Sequence, residues 1–148
     1  MEHQNRYSVL MPLAPWEPST QVAAALRSLE TQSLLASQLV VSCDGEPPEA
    51  LAAVFGATSL PLKLLIGPGG EGVGPVLARG LRHCSEKLVV RADSDDISMP
   101  NRCELQVEAM VARPELIALS TPVLEFNESP LVPIRERAVP IKGEAIHR

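Results

Sequence analysis

The densest chemistry in the chain is Asp93-Ser94-Asp95-Asp96, three carboxylates within four residues at the end of the apolar run Lys87–Ala92. In an extended chain residues i and i+2 point to the same side, so Asp93 and Asp95 can share a face. Carboxylates this close repel one another. A hard divalent cation such as Mg2+ or Mn2+, which prefers carboxylate and phosphate oxygens, relieves the repulsion. The bland alternative is a solvated acidic turn leading into a helix, where negative charge is favourable. A place at the end of a buried strand favours the binding role. Asp44-Gly45 ends another apolar run. Its carboxylate can accept hydrogen bonds from a ligand, although Asp-Gly is by itself a common turn pair.

A third pattern points elsewhere. Gly67-Pro68-Gly69-Gly70-Glu71-Gly72 matches a dinucleotide-binding fingerprint between a strand and a helix, with Asp93 downstream as the acidic partner. Against it, the loop belongs to the third strand–helix unit, Pro68 stiffens it, and three carboxylates stand where one ribose ligand belongs. It is no Walker loop, because Pro75 and Val76 occupy the places of Lys and Ser or Thr. Cys43, Cys84 and Cys103 fit neither a disulfide framework nor a zinc spacing. Cys43 reads as strand core and Cys84 as helix core, Cys103 lies within a helix, and His83 reads as surface.

These groups need elements to hold them. Tyr7–Leu13, Gln38–Cys43, Leu62–Ile66 and Lys87–Ala92 read as buried strands, and Leu116–Phe126 as a fifth, interrupted at Pro122. Between them, Ser19 is placed to cap a helix with an apolar stripe at Val22, Ala25, Leu26 and Leu29. Pro47-Pro48 opens a short helix to Phe55 with Gly56 as its C′ residue. Pro75 opens another whose apolar face is Val73, Leu77, Leu81 and Cys84. Ser98 caps a last helix from Met99 or Pro100 to Ala112, stopped by Arg113-Pro114. Alternating strands and helices predict a three-layer α/β/α fold with a mostly parallel central sheet, whose function sits at the carboxyl ends of the strands. Pro12, Asp44, Gly67 and Asp93 mark those ends.

Composition narrows the function classes. With 148 residues, 45% apolar and 21% charged, the chain suits about one globular domain. Aromatic residues are only 3%, so the core is aliphatic and base stacking of the single-stranded nucleic-acid kind is disfavoured. A net charge of −5 supplies no basic stripe, which argues against nucleic acid as a partner. The opening residues lack the apolar run of a signal peptide and no stretch is long enough to span a membrane, so a soluble protein of a reducing compartment is expected. The 14 prolines fall between the periodic segments as punctuation.

Taken together, the segments Tyr7–Pro12, Leu26–Gln32, Val40–Gly45 and Arg91–Asp96 with its continuation Ile97–Arg102 resemble the family 2 glycosyltransferases of GT-A fold, nearest to bacterial enzymes of exopolysaccharide and lipopolysaccharide assembly. The resemblance runs over residues 7 to about 126. It implies a GT-A nucleotide-sugar-binding domain over 1–126, with 127–148 the start of an acceptor-side half. It implies that Asp44 holds the base, that Pro12, Gly72 and Asp93 line the nucleotide sugar, and that Asp95 and Asp96 hold Mg2+ or Mn2+ by the diphosphate. The family's loop and helix carry Asn where Gly70 and Ala78 stand, while Gly72 and Gly80 match. The implied reaction moves a sugar from a nucleotide diphosphate sugar to a saccharide or lipid-linked acceptor. The general base is expected beyond this stretch, leaving the 148 residues weakly active or inactive alone. A cytoplasmic place at the inner membrane face, peripheral membrane association and a homo-oligomer are further expectations. The rivals are an NAD(P)-binding oxidoreductase domain using Gly67–Gly72 and a non-catalytic binding module of the same fold.

Overall fold

The computed structural model describes residues 5–138. Four strands, β1 (Tyr7–Leu13), β2 (Gln38–Cys43), β3 (Leu62–Ile66) and β4 (Leu88–Arg91), form one parallel sheet in the order β3-β2-β1-β4. Helices α1 (Ser19–Glu30), α2 (Glu49–Ala57), α3 (Val73–Leu81) and α4 (Arg102–Ala112) alternate with them. The chain forms two compact units, residues Met1–Ala112 and Arg113–Arg148.

The period of two along β1 divides the sheet into two faces. Tyr7, Val9, Met11 and Leu13 are buried with Leu39, Val41 and Cys43 of β2, Val22, Ala25, Leu26 and Leu29 of α1, Leu51 and Phe55 of α2, and Cys103 and Val107 of α4. Each fully buried aliphatic side chain of this kind contributes about 1.5–3 kcal/mol. Tyr7 brings a polar tip into this core and satisfies it by donating to the Leu34 carbonyl at 2.6 Å. Burial, first of all, pushes its hydroxyl well above the usual phenol range. The opposite face is covered by α3, which packs on β1 and β2. Ser42 Oγ donates to the Val76 carbonyl at 2.8 Å, and Gly80 lies directly on the side chain of Leu10. The three layers are therefore α1, α2 and α4, then the sheet, then α3.

Several local expectations change. Ser19 is the first helical residue, not the cap: Pro18 precedes it in extended conformation, and no side chain caps the helix. Gly56 lies inside α2, which ends at Ala57 with Thr58 as its extended C-cap. In α3 the inward residues are Val76 and Gly80, whereas Val73 and Leu81 are exposed, so the face foreseen at 73, 77, 81 and 84 is turned away from the sheet. The reason is Gly80, whose missing side chain sets the closest approach of the helix. Ser98 caps nothing; its amide donates to Ser28 Oγ at 3.0 Å and its hydroxyl accepts from Arg102. No strand of the parallel sheet comes from Leu116–Phe126. In the second unit β5 (Val123–Glu125) pairs antiparallel with β6 (Arg135–Arg137). There Arg135 and Arg137 both grip the Glu125 carboxylate.

Candidate functional site

From β1 the chain moves outward to β2 and β3, then returns to the other side of β1 for β4. The order reverses between β1 and β4, and in open parallel sheets ligands bind in the crevice beyond the strand ends at such a point. A cavity of about 310 Å³ lies there. Pro12, Asp44, Gly72, Asp93 and Asp95 all line it, so five of the six positions that the resemblance assigned to nucleotide and metal meet in one place, while Gly67, marked as a strand end, does not line it. Asp96 is not among the lining residues. Its amide donates to the Asp93 carbonyl at 3.3 Å.

Asp44 closes β2 and is 9% exposed. Its two carboxylate oxygens accept the amides of Glu71 and Gly72 at 2.9 and 3.1 Å. Gly72 stands just before α3 at φ +81°, a conformation that glycine takes without strain. Asp44 thus fastens the β3–α3 loop, and because a carboxylate oxygen can accept more than one bond it retains acceptor capacity at the cavity it lines. A cross-brace backs this loop. Arg79 of α3 donates to the Cys43 carbonyl at 2.6 Å and pairs with the Glu71 carboxylate. Its guanidinium fills the space where a side chain at Gly67 would stand. Its buried Nε has no hydrogen-bond partner among the described residues. Burial also pushes the neighbouring Cys43 thiol up to about 11, so it is an inert core group.

This geometry bears on the dinucleotide reading. A pyrophosphate bound by a Gly-rich turn needs free amides at the helix start. Here the Glu71 and Gly72 amides already serve a carboxylate whose charge repels phosphate, and the loop follows the edge strand β3 rather than a strand at the switch point.

At the other side of β1, Asp93 is in a two-pronged pair with Arg91, Nε to Oδ1 at 2.9 Å and Nη2 to Oδ2 at 3.2 Å. Ser94 is buried and Asp95 exposed; both lie in a turn closed by the Asp96 amide on the Asp93 carbonyl, so the extended-chain spacing expected to set Asp93 and Asp95 on one side does not apply here. Among the described residues no three His, Cys, Asp or Glu side chains converge on a point where an ion could sit. The following turn is anchored to α1. Gln32, 5% exposed, donates to the Ser28 and Met99 carbonyls and accepts from the Cys103 amide. The Ser33 amide donates to the Pro100 carbonyl at 2.8 Å.

Sequence reasoning missed three contributors. Trp16, 76% exposed, and Glu17 line the cavity from the β1–α1 loop, and Arg91 lines it from β4. Arg91 adjoins the acidic cluster and could have been found there. Nothing local marks Trp16, since it faces the cavity only once the Pro15–Pro18 loop folds over the end of β1. His83, half-buried, bonds through Nδ1 to the Arg79 carbonyl. All three cysteines are free.

A parallel α/β sheet with helices on both faces and a cavity at its switch point defines a Rossmann-like architecture. The chain belongs to glycosyl transferase family 2, whose model matches residues 17–145. It is 34% identical over 144 residues to the amylovoran biosynthesis glycosyltransferase AmsE of Erwinia amylovora, covering 96% of this chain and 53% of that protein. It is 30% identical over 127 residues to a UDP-Gal:alpha-D-GlcNAc-diphosphoundecaprenol beta-1,3-galactosyltransferase of Escherichia coli, covering 84% and 46%. The chain therefore spans about half the length of the curated relatives it matches. Among solved structures, S. aureus TarS 1–349 in complex with UDP shares the fold, with a TM-score of 0.64 at 21% identity, over 74% of this chain and 33% of that one.

Proposed function

We propose that residues 1–148 form the donor-binding part of a glycosyltransferase that moves a sugar from a nucleotide diphosphate sugar to a saccharide or lipid-linked acceptor in surface polysaccharide synthesis. The observation that carries this reading is the switch-point cavity, where a family 2 chain brings Asp44, Asp93 and Asp95 together. Asp44 receives the base, Pro12 and Gly72 flank it, and Asp93 lies toward the donor sugar. The relatives' names point to amylovoran synthesis and to a diphosphoundecaprenol-linked acceptor, and a cytoplasmic site of action at the inner face of the membrane is part of the same proposal. Among the described residues no helix is long and apolar enough to cross a membrane; peripheral association with it is part of the proposal.

The donor set suits a divalent ion. Mg2+ is usually held by one or two carboxylates plus substrate phosphates, so a preformed cluster of three is not required. Asp95 and Asp96 are the ligands we assign, with phosphate and water completing the shell. Such an ion supplies charge stabilisation to the departing nucleoside diphosphate. The residues' own work is to hold the base at Asp44, to fix the loop over it through Arg79 and Glu71, and to keep the acidic turn in place through Gln32.

Trp16 is the single tryptophan of the chain and lines the cavity, so its emission reports occupancy. Titrating UDP, GDP and their sugars in Mn2+ should change that emission saturably. Asp95→Ala and Asp96→Ala should weaken binding by about 10-fold or more, the loss of a charge-assisted contact. Binding that ignores both the metal and these substitutions would remove the site assignment.

A further inference from the structure

We infer that Arg91 is a diphosphate-binding residue of this site, and that its ion pair with Asp93 is the resting partner it exchanges for phosphate. The inference rests on the nucleotide-sugar reading above and adds to it a residue and a ligand group.

Charge is the starting point. Asp44, Asp93, Asp95 and Glu17 line the cavity, and among the described residues lining it Arg91 is the single cation. A nucleoside diphosphate is itself an anion, so a cavity so rich in carboxylates must compensate it. A metal held by Asp95 and Asp96 accounts for part, and Arg91 is the remaining compensating group. Its placement is fixed. Arg91 registers with Leu10 across β1–β4 and shares that residue's face of the sheet, the face that α3 covers. Its carbonyl accepts from Arg102 Nη2 at 2.8 Å, which pins the strand end from which the side chain extends. The side chain is free to move where the backbone is not. It is 55% exposed, and its partner Asp93 is 37% exposed. An exposed pair of this kind holds weakly in water and yields to a better partner. A guanidinium meets phosphate oxygens with the same two-pronged fork it now offers Asp93. When phosphate takes that fork, the Asp93 carboxylate is released toward the donor.

The test separates the phosphate from the rest of the ligand. Affinities of the 148-residue chain for nucleoside, monophosphate and diphosphate are measured in the uridine and guanosine series, in Mg2+, for wild type, Arg91→Gln and Arg91→Lys. Thermal melts confirm that each variant is folded. For whichever base binds, Arg91→Gln should weaken the diphosphate about 10- to 100-fold while leaving the nucleoside within about twofold. Arg91→Lys, a point charge without the fork, should fall between. Equal weakening of nucleoside and diphosphate would overturn the proposal, since Arg91 would then act only by orienting Asp93. An unchanged diphosphate affinity in Arg91→Gln would overturn it as well. If wild type binds diphosphates and only these variant results fail, the nucleotide-site reading stands without Arg91. If wild type binds no member of either series, both fall together.

Discussion

Asp44 has two tasks at one carboxylate: it ties down the Gly-rich loop and it faces the cavity. Asp44→Ala strands the Glu71 and Gly72 amides, and losing two such bonds should destabilise the chain by about 1–3 kcal/mol, read from urea unfolding. Asp44→Asn keeps one acceptor oxygen and should retain roughly half of that stability while still weakening nucleotide binding. A stability loss for Ala no larger than for Asn would refute the loop-fastening role. Asp44 and the acidic cluster were legible in the sequence because strand ends are marked by where apolar runs stop. The Arg79–Glu71 brace was not, since its members meet across a loop whose path local pattern does not define. Arg91 was visible as a neighbour of the cluster but not as a pair with Asp93, because a two-residue offset at a strand end permits that fork without requiring it.

The elements were read with uneven success, and the reasons are physical. β1, β2 and β3 begin and end where the apolar runs between Pro, Gly and polar residues indicated. The stripe of α1 is buried as its spacing implied. α3 was misjudged because hydrophobic periodicity looks for large residues, while this helix approaches the sheet through a small one. Gly80→Ala gains helix propensity of about 1 kcal/mol but places a methyl group against the Leu10 side chain, which is 4% exposed, and close to the Ser42 Cβ. Overpacking costs about 1–3 kcal/mol, so a net loss of stability is expected. In a double-mutant cycle with Leu10→Ala the two losses should be less than additive, and strict additivity would mean the contact is not the cause. At the other end of α1, Glu30 accepts from Thr58 Oγ1 and the Ser59 amide at 2.7 and 2.8 Å. Burial alone would raise its carboxyl, but those bonds outweigh it and hold the group below its usual 4.5. Because the folded value is the lower one, the stabilisation is fully present above the usual carboxylate range and disappears as pH falls through the folded value. The stability gap between wild type and Glu30→Gln should therefore be constant from neutral pH to about pH 5.5 and shrink at lower pH. A gap that widened on acidification would contradict this.

At the scale of the molecule, the sheet and its α1, α2, α3 and α4 cover were foreseeable from strand–helix alternation, but the fifth strand was not a member of that sheet. Pro122 interrupts the run, and a proline there removes a ladder donor that a central strand would need. The 148 residues hold the switch-point cavity that we propose receives the donor, and they span about half the length of their relatives. The expectation is a chain that binds nucleoside diphosphates but turns over nucleotide sugars slowly, measured by release of diphosphate with and without a lipid-linked saccharide. Rapid turnover by these residues alone would show that they contain the acceptor-activating base.

One feature of the sheet also governs how the site comes into being. β1 lies between β2 and β4, and Tyr7 pairs with Leu88. At about 5–20 residues per second on the ribosome, the first strand waits for seconds before that partner exists. Long-range parallel pairing is slow, because the intervening loop must close before the contact rewards it. The cavity is walled by the ends of β1, β2 and β4, so it is expected to form late. A nucleotide added during refolding should leave early collapse untouched and act only on the final phase.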